Sequence, residues 1–303
     1  MGTPQTAVQT LERLVADRHE IVAVYTQPDR PAGRGNKIAF SPVKEFALGK
    51  GIPVHQPTKV RTPEAAEEFR SLNADVAVVV AYGRILPEAF LTAFPNGAIN
   101  VHFSLLPKYR GAAPVNWAIV NGERKTGITT MKMDAGLDTG DLLLQSETEI
   151  GNDETSIELM ERLAMMGADL CSETLQNLER LKPIPQDHSL ATLAPIMKKT
   201  DGQIDWTKNA VDISNRVRGF QPFPSSFAFL DGKRFTFWKA DEADGGSDSA
   251  PGTVLPSDVG DFLISCGGET VISIREIQIE GKRRVSAKEF LHSGQVRPGM
   301  VFD

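Results

Sequence analysis

A short polar segment closes an apolar run in the first half of the chain. Asn100 and His102 lie two residues apart in the segment AINVH, residues 98–102. In a β-strand, side chains two residues apart leave the same face, so the amide and the imidazole would point the same way. An amide donor and an imidazolium can stabilise the oxyanion that develops during acyl transfer. The pair is therefore a candidate for group-transfer chemistry.

A second polar segment follows another apolar run. The sequence MDAGLDTGD, residues 133–141, carries Asp134 and Asp138 in a loop with two glycines. If the two strand ends meet, a carboxylate from this loop could hold the imidazole protonated and oriented. The ordinary interpretation is that His102 is only a hydrogen-bonded residue and that the loop is a plain turn. The spacing alone leaves both interpretations open.

Other chemistry-bearing patterns are absent from the sequence. There is no P-loop, no HExxH and no Gly-x-Ser-x-Gly motif, and the segment GRGNKI, residues 33–38, lacks the third glycine of a dinucleotide loop. The five histidines are scattered and the two cysteines, Cys171 and Cys266, lie far apart. The sequence therefore predicts neither a metal site nor a disulfide framework.

Composition and charge narrow the class of protein. Charged residues make up 24% of the 303 residues and the net charge is −6, which excludes a disordered chain and a polyanion binder that acts through bulk charge. No apolar run approaches the roughly 18 residues that a membrane helix needs. The first residues, MGTPQ, show no signal peptide. We expect a cytoplasmic protein that does not bind membranes.

The elements that must position the polar residues alternate between strand and helix. Short runs rich in Val and Ile predict buried strands, and helical spacing of apolar residues predicts helices over Thr6–Asp17, Thr62–Leu72 and Ser156–Leu181. Thr155 and Glu158 form a capping box at the start of the last of these. The alternation predicts an α/β fold over residues 1–182, a Rossmann-like, mostly parallel sheet with helices on both faces. Open α/β sheets bind ligands at the carboxyl ends of their strands.

The pattern changes after Leu181. The prolines of KPIPQD, residues 182–187, are incompatible with a helix, and we interpret residues 183–201 as a linker. From residue 202 to residue 303 the segments are short and alternate in hydropathy, which favours a small OB-like β-barrel. Its elements are predicted as a helix over Ala210–Arg218 and strands over Phe227–Leu230, Arg234–Trp238, Phe262–Ser265 and Val271–Ile279.

Several motifs together resemble the folate-dependent formyltransferase family. They are Asn100-x-His102, the following Ser104-Leu105-Leu106-Pro107, and Leu137-Asp138-x-Gly140. Within the family, the chain is most similar to members that formylate methionyl initiator tRNA. That similarity is carried by TQPDRPAGRG (26–35), YRGAAP (109–114), IDW (204–206) and RGFQPFP (218–224), and the resemblance extends from Gly2 to Val301.

The resemblance implies a reaction and its catalytic residues. A formyl group would move from 10-formyltetrahydrofolate, the co-substrate, to the α-amine of methionyl initiator tRNA. Asn100, His102 and Asp138 occupy the family's catalytic positions. The resemblance implies no metal, and it implies a monomer.

The resemblance also implies binding residues. The folate would contact two segments and one loop residue, namely Arg84, Ile85 and Leu86, then Ser104, Leu105, Leu106 and Pro107, and finally Asp134. The tRNA would contact a cationic loop and the start of the second domain, through Arg30, Arg34, Lys37 and Arg218. The domain over 202–303 would also bind tRNA, weakly, since the chain after residue 199 has a net charge of −3 and its one compact basic cluster is Lys282-Arg283-Arg284.

The start of the chain departs from the family's pattern. Family members have a short apolar strand before the Gly-Thr-Pro turn, in the interior of the sheet, whereas this chain opens with Met1-Gly2-Thr3-Pro4. We therefore expect the first strand to be missing and the chain to be poorly stable or inactive as it stands, with a start that is incorrect or truncated.

Three alternatives stay open from the sequence. A formyltransferase for an amino sugar nucleotide shares the catalytic motif, although the loop over 27–44 and RGFQPFP disfavour it. A formyltransferase for glycinamide ribonucleotide would lack the last 100 or so residues. A tRNA-binding module without catalysis is disfavoured by the intact Asn100, His102 and Asp138.

Overall fold

The structure, a computed structural model, describes residues 1–32 and 37–303. The contacts among these residues divide the chain into two compact units. The first unit comprises Met1–Pro114, Lys125–Glu149 and Met160–Ala194, and the second comprises Val115–Arg124, Ile150–Leu159 and Pro195–Asp303. Most of the predicted linker, residues 183–194, therefore belongs to the first unit. The functional division at residues 182 and 201 stays a prediction.

The regular elements of the described chain have the following bounds. The helices are α1 (Gln5–Ala16), α2 (Pro42–Gly49), α3 (Pro63–Ser71), α4 (Glu88–Leu91), α5 (Pro114–Val120), α6 (Ser156–Gln176), α7 (Ala210–Gly219) and α8 (Ala287–Leu291). The strands up to Glu149 are β1 (Val24–Tyr25), β2 (Arg30–Ala32), β3 (Lys37–Ala39), β4 (Val54–His55), β5 (Ala77–Val79), β6 (Ala98–His102), β7 (Arg110–Gly111), β8 (Lys125–Lys132) and β9 (Leu142–Glu149). The later strands are β10 (Leu193–Ala194), β11 (Ser226–Leu230), β12 (Lys233–Ala243), β13 (Phe262–Ser265), β14 (Val271–Ile279) and β15 (Val285–Ser286).

The first unit is an α/β structure, as predicted, but its main sheet is mixed. Its four strands lie in the order β5-β6-β8-β9, and a separate parallel pair is formed by β1 and β4. Strand β6 runs parallel to β5 but antiparallel to β8, which is in turn antiparallel to β9. Residues 126–131 of β8 are all buried, which is the pattern of a parallel strand, so hydropathy could not reveal the direction of β8.

A cavity of about 280 Å³ lies between β1 and β5. The chain start reaches only one end of it. The Met1 α-amine donates to the carbonyl of Val78 at 2.7 Å, Gly2 N–H donates to the carbonyl of Tyr25 at 2.9 Å, and Val80 N–H donates to the carbonyl of Met1 at 2.9 Å. Within the described residues, only Met1 and Gly2 form backbone hydrogen bonds with both β1 and the segment of β5 and Val80.

Helix α6 packs on the face of the main sheet opposite to the candidate site. It begins at Ser156, after the predicted capping box, in which Thr155 N–H donates to Glu158 Oε2 at 2.8 Å. A Cβ added at Gly167 would lie 3.0 Å from Val101 Cγ1, so the glycine permits a close approach of helix and sheet. Because Val101 faces α6, its neighbours Asn100 and His102 point to the other face.

The second unit is built on an antiparallel sheet in the order β11-β12-β14-β13, with β15 beside β14. Strand β12 has register shifts between Phe237 and Ala240, and such bulges bend a strand and increase its twist. The sheet encloses a core that includes Phe235, Phe237 and Phe262. The four predicted strands and the helix are present within a few residues, so the small β-barrel domain of the prediction is confirmed as a curled antiparallel sheet with α7.

Candidate active site

Strand β6 places Asn100 and His102 side by side. Asn100 is half-buried and His102 is 5% exposed. The carboxamide of Asn100 has no hydrogen-bond partner among residues 1–32 and 37–303, so both its donors and its acceptor are available to a substrate. Strand β6 pairs with β5 and β8 without a bulge, so the side chains of Asn100 and His102 leave the same face of the sheet, as predicted.

The two ring nitrogens of His102 face different oxygen atoms. Nε2 lies 2.9 Å from the carbonyl oxygen of Tyr109, which can only accept, so Nε2 carries a hydrogen. Nδ1 lies 3.8 Å from Asp138 Oδ2, which is an ion-pair distance but longer than a hydrogen bond. The structure therefore brings His102 and Asp138 together, and it leaves the Nδ1 edge of the ring without a direct bond to the carboxylate.

The loop of residues 133–141 fixes the Asp138 carboxylate. Asp138 itself has φ of 51°, and its Oδ2 accepts from Gly111 N–H at 2.8 Å. A Cβ at Gly140 would lie 1.8 Å from the carbonyl oxygen of Lys132, so the loop can pass the strand only with glycine there. Asp134 stabilises the turn itself, because its Oδ1 accepts from Gly136 N–H at 3.0 Å and from Thr139 Oγ1 at 2.7 Å. This loop is more than a plain turn, since its carboxylate is aimed at an imidazole.

The segment Ser104–Pro107 lies directly after His102 and is largely fixed by the protein. Ser104 is fully buried and donates from Oγ to the carbonyl of Lys108 at 2.6 Å. Leu106 N–H donates to Thr129 Oγ1 at 3.1 Å, and the Leu106 carbonyl accepts from Gln145 Nε2 at 2.9 Å. Of the predicted folate residues in this segment, Leu105 and Pro107 are half-buried and the other two are buried.

Arg84, Ile85 and Leu86 are positioned by a different part of the unit. The Arg84 guanidinium donates to Gln27 Oε1 at 3.0 Å and to the carbonyl of Thr58 at 2.7 Å. Arg84 and the 67%-exposed Ile85 line a cavity of about 530 Å³ together with residues 58–62. Leu86 is buried in the core. None of the other predicted folate residues lines that cavity.

The basic residues predicted to bind tRNA differ in their exposure and in their hydrogen bonds. Arg30 is exposed at the start of β2, which pairs antiparallel with β3, the strand that begins at Lys37. Arg34 lies outside the described residues. Arg218 donates four hydrogen bonds inside the second unit, to Asn215 Oδ1 twice and to the carbonyls of Gly151 and Glu154, and burial lowers the pKa of its guanidinium. Its donors are therefore engaged in holding the fold.

Two further residues at the site were missed in the sequence. Arg110 is 7% exposed and Gln186 is 5% exposed, and they bond to each other beside the Asp138 loop. Arg110 belongs to the YRGAAP motif, but a buried role could not be deduced from its type. Gln186 lies in a proline-containing stretch whose composition indicates a solvated linker, so no signal pointed to it.

The remaining chemical candidates in the described residues are inert. Burial raises the pKa of both cysteine thiols, Cys171 and Cys266, to about 12, so neither is a thiolate nucleophile at neutral pH. In the same part of the chain no three His, Cys, Asp or Glu side chains are grouped as metal ligands. None of the helices described has the length and apolar character needed to cross a bilayer.

Comparison with known proteins assigns this chain to a family. The family model for formyl transferase matches residues 1–175, and the model for the formyl transferase C-terminal domain matches residues 196–295. The chain belongs to the formyl transferase family. Among its relatives are the methionyl-tRNA formyltransferase of Acetivibrio thermocellus, 48% identical over 99% of this chain and 97% of that protein, and that of Citrifermentans bemidjiense, 49% identical over 99% and 94%.

Solved structures show the same fold at lower identity. The sugar 3N-formyl transferase WlaRD, crystallised in the presence of dTDP and 5-N-formyl-THF, has a TM-score of 0.68 at 20% identity and covers 93% of this chain and 97% of its own. An N-formyltransferase from Helicobacter canadensis, in complex with folinic acid and dTDP-3-aminofucose, also has a TM-score of 0.68 at 20% identity and covers 90% and 96%. At this identity the similarity extends to the fold alone.

Proposed function

We propose that this protein is an enzyme that transfers a formyl group from 10-formyltetrahydrofolate to the α-amine of methionyl initiator tRNA. The observation that carries the proposal is the identity of about 48% with methionyl-tRNA formyltransferases over nearly the whole of both chains. The His102–Asp138 pair and the free Asn100 amide supply groups suited to acyl transfer. A folate donor is in keeping with structural relatives that were crystallised with 5-N-formyl-THF or tetrahydrofolic acid.

In the proposed reaction the amine nitrogen forms a bond to the formyl carbon, and the bond from that carbon to N10 of the folate breaks. Between these events the formyl oxygen carries negative charge. Asn100 Nδ2 and the Nδ1 edge of His102 donate to it, since neither is engaged in a direct hydrogen bond with any other residue that the structure describes. Preorganised donors of this kind stabilise the transition state without reorganising.

Asp138 has two parts in this mechanism. Its carboxylate faces the imidazole, with Oδ2 3.8 Å from His102 Nδ1, while the Gly111 amide holds the carboxylate in place. The neutral amine attacks, and Asp138 accepts, through water, the one proton that its nitrogen loses after bonding to the formyl carbon; that proton ends on N10 of the leaving tetrahydrofolate. No covalent enzyme intermediate is required.

The folate and tRNA contacts are proposed at two places in the first unit and one place in the second. The folate lies between the Asp134–Asp138 loop, the chain at Leu105 and Pro107, and the segment Arg84–Leu86. The segment of residues 30–37 reaches the acceptor end of the tRNA through Arg30, Arg34 and Lys37. Residues 202–303 hold the tRNA backbone weakly, because Arg283 and Arg284 are paired with Glu289 and Glu276.

A two-acceptor assay tests the proposal. The enzyme is supplied with 10-formyltetrahydrofolate and either methionyl initiator tRNA or a dTDP-linked amino sugar. We expect N-formylmethionyl-tRNA and no formylated sugar. Transfer to the sugar alone would replace the proposal with sugar formylation, and transfer to neither acceptor by a folded enzyme would contradict it.

A further inference from the structure

Gln186 is buried in the first unit beside the candidate active site. It is 5% exposed, although its neighbour Asp187 is exposed. The chain around it is held on both sides. Ile184 exchanges two backbone hydrogen bonds with Leu142, at 2.8 and 2.9 Å, and β10 pairs parallel with β7. The residues from 184 to 194 therefore form a strap along the site instead of a free linker.

The side-chain amide of Gln186 uses all its hydrogen-bonding capacity. Nε2 donates to the carbonyls of Asp138, at 2.9 Å, and Gly140, at 2.7 Å. Oε1 accepts from Arg110 Nε at 3.1 Å and from Arg110 Nη2 at 2.6 Å. A primary amide has two N–H donors and an oxygen with two lone pairs, so every one of them has a partner here.

These four bonds join the two segments that orient His102. One is the Asp138 loop, whose carboxylate faces Nδ1. The other is the chain of Tyr109, Arg110 and Gly111: the Tyr109 carbonyl accepts from His102 Nε2, and Gly111 N–H donates to Asp138 Oδ2. Arg110 Nη2 also lies 3.1 Å from His188 Nδ1, on the same strap. Thus the amide of Gln186 fixes the distance between the two partners of the imidazole.

We propose that Gln186 is a positioning residue for the formyl-transfer reaction: its amide clamps the Asp138 loop to the Tyr109–Gly111 segment and so fixes the orientation of His102. The inference rests on the proposed function. Gln186 does not touch the reacting atoms in this scheme. It acts on the geometry of His102 and Asp138, and a misplacement of about 1 Å in such a geometry can cost about 10²-fold in rate.

The chemistry of the clamp distinguishes two substitutions. Gln186→Leu has a similar volume and removes all four hydrogen bonds. Gln186→Glu keeps an acceptor for Arg110, and strengthens it by charge, but it places a second oxygen against the carbonyls of Asp138 and Gly140. If the clamp on the loop is what matters, Glu must not restore activity. If Gln186 serves only to satisfy the buried Arg110, Glu must restore it.

The first measurement is formylation kinetics for the wild type and the Q186L and Q186E variants, with Gln176→Leu, an exposed glutamine on α6, as the matched control. We expect kcat to fall about 10²-fold in both Gln186 variants at a temperature where each is folded, with the Kd for folate nearly unchanged. Q176L should behave as the wild type. Folded Q186L with wild-type kcat, or a Q186E variant that regains full activity, would overturn the proposal.

The second measurement is independent of turnover, so that it separates this inference from the proposed function. Nitrogen-15 NMR of the histidine rings reports which ring nitrogen carries hydrogen and what it bonds to. In the wild type the His102 ring should show a hydrogen on Nε2, and in Q186L or Q186E its resonances should shift while those of His19 and His292 do not. Unchanged His102 resonances would contradict the clamp whether or not the wild type formylates tRNA.

Discussion

At the scale of single residues, Asn100 and His102 are proposed to stabilise the transition state and not the bound substrate. Asn100 and His102 interact, in the proposed reaction, with charge that exists only in the transition state. We expect Asn100→Ala and His102→Ala each to lower kcat about 10²–10³-fold, and to leave the Kd for 10-formyltetrahydrofolate nearly unchanged. Single-turnover formylation and equilibrium folate binding check the two parts separately.

A matched control for these variants is Asn177→Ala, whose amide donates to the carbonyl of Glu173 on the surface. It should have wild-type kcat. Near-normal turnover in either site variant would remove that residue from the mechanism. A loss confined to KM would show that the residue binds substrate and transition state equally.

The sequence could predict the residues whose roles follow from type and spacing. Asn100 and His102 share a strand face because strand geometry requires it, and Asp138 follows from the loop motif. Gln186 and Arg110 could not be predicted, because their positions depend on contacts between segments distant in sequence: Gln186 lies 48 residues from Asp138 and 76 from Arg110. The tRNA contact of Arg218 stays a prediction, and the structure adds a second role that its motif could not indicate, since its donors bind Asn215 and two carbonyls.

At the scale of elements, the short strand β7 depends on a glycine. Gly111 has φ of 124°, and a Cβ there would lie 2.6 Å from the carbonyl oxygen of Ala194. We expect Gly111→Ala to separate β7 from β10 and to displace the amide that binds Asp138. The loss should be about 1–3 kcal/mol in the free energy of unfolding, together with a fall in kcat. Denaturant unfolding and formylation kinetics measure both.

Gly51→Ala is the comparison for that variant. Gly51 also has positive φ, of 69°, but a Cβ there would contact nothing within 4 Å. Gly51→Ala should therefore lose only the stability that alanine loses at a positive φ, because its Cβ meets no other atom, and it should keep wild-type kcat. If both alanine variants lose the same stability and neither loses activity, the β7–β10 pairing does not position Asp138.

The β2–β3 hairpin is the element proposed to contact tRNA. We expect Arg30→Ala and Arg34→Ala each to weaken tRNA binding and to reduce the salt dependence of log Kd by about one unit of slope, because each arginine releases about one counterion from the phosphates. Folate affinity should not change. Binding titrations at several salt concentrations give the slope.

Arg70→Ala serves as the control for the hairpin variants, because Arg70 is exposed on α3 and paired with Glu67. Its slope should equal that of the wild type. An unaltered slope in both hairpin variants would mean that the hairpin is only a solvated connection.

Hydropathy patterns predicted the longer elements and missed shorter ones. Helices α1, α3, α6 and α7 and the strands of the second unit follow from periodicity. Helix α5 was missed because its sequence, PVNWAIV, has one polar residue and is too short for a helical period to appear. The direction of β8 was also inaccessible, because burial of both faces is equally compatible with parallel and antiparallel neighbours.

At the scale of the whole molecule, a chain that begins at Met1 should have a stability that depends on pH. Burial lowers the pKa of the Met1 α-amine from its ordinary value of 8.0 to about 6. Between pH 8 and pH 6 the unfolded chain therefore holds more protons than the folded one, so the free energy of unfolding falls as the pH falls through this range. The loss should be about 2–3 kcal/mol, and it is complete below pH 6. Urea unfolding at several pH values measures it.

Two altered chain starts test whether the Met1 α-amine causes this pH dependence. Acetylation of the Met1 amine removes the titrating group, and an extension by five apolar residues moves the charge away and offers a strand to the cavity between β1 and β5. Both should abolish the dependence between pH 6 and pH 8, and the extension should also raise the melting temperature. If the dependence persists after acetylation, another group is responsible.

The cavity between β1 and β5 also determines which backbone amides are open to hydrogen exchange. Val24 and Ala77 donate to the carbonyls of Pro53 and Gly97, on the sides away from the cavity, so the amides of Ala23 and Val78 point into it. In deuterium exchange we expect Ala23 and Val78 to exchange faster than Val24 and Ala77, although Ala23 directly precedes Val24 and Val78 directly follows Ala77. Strands β1 and β4 have two residues each, and Met1 and Gly2 link β1 to the β5 segment by backbone hydrogen bonds, so this pair should open at a lower free energy than β6 and β8.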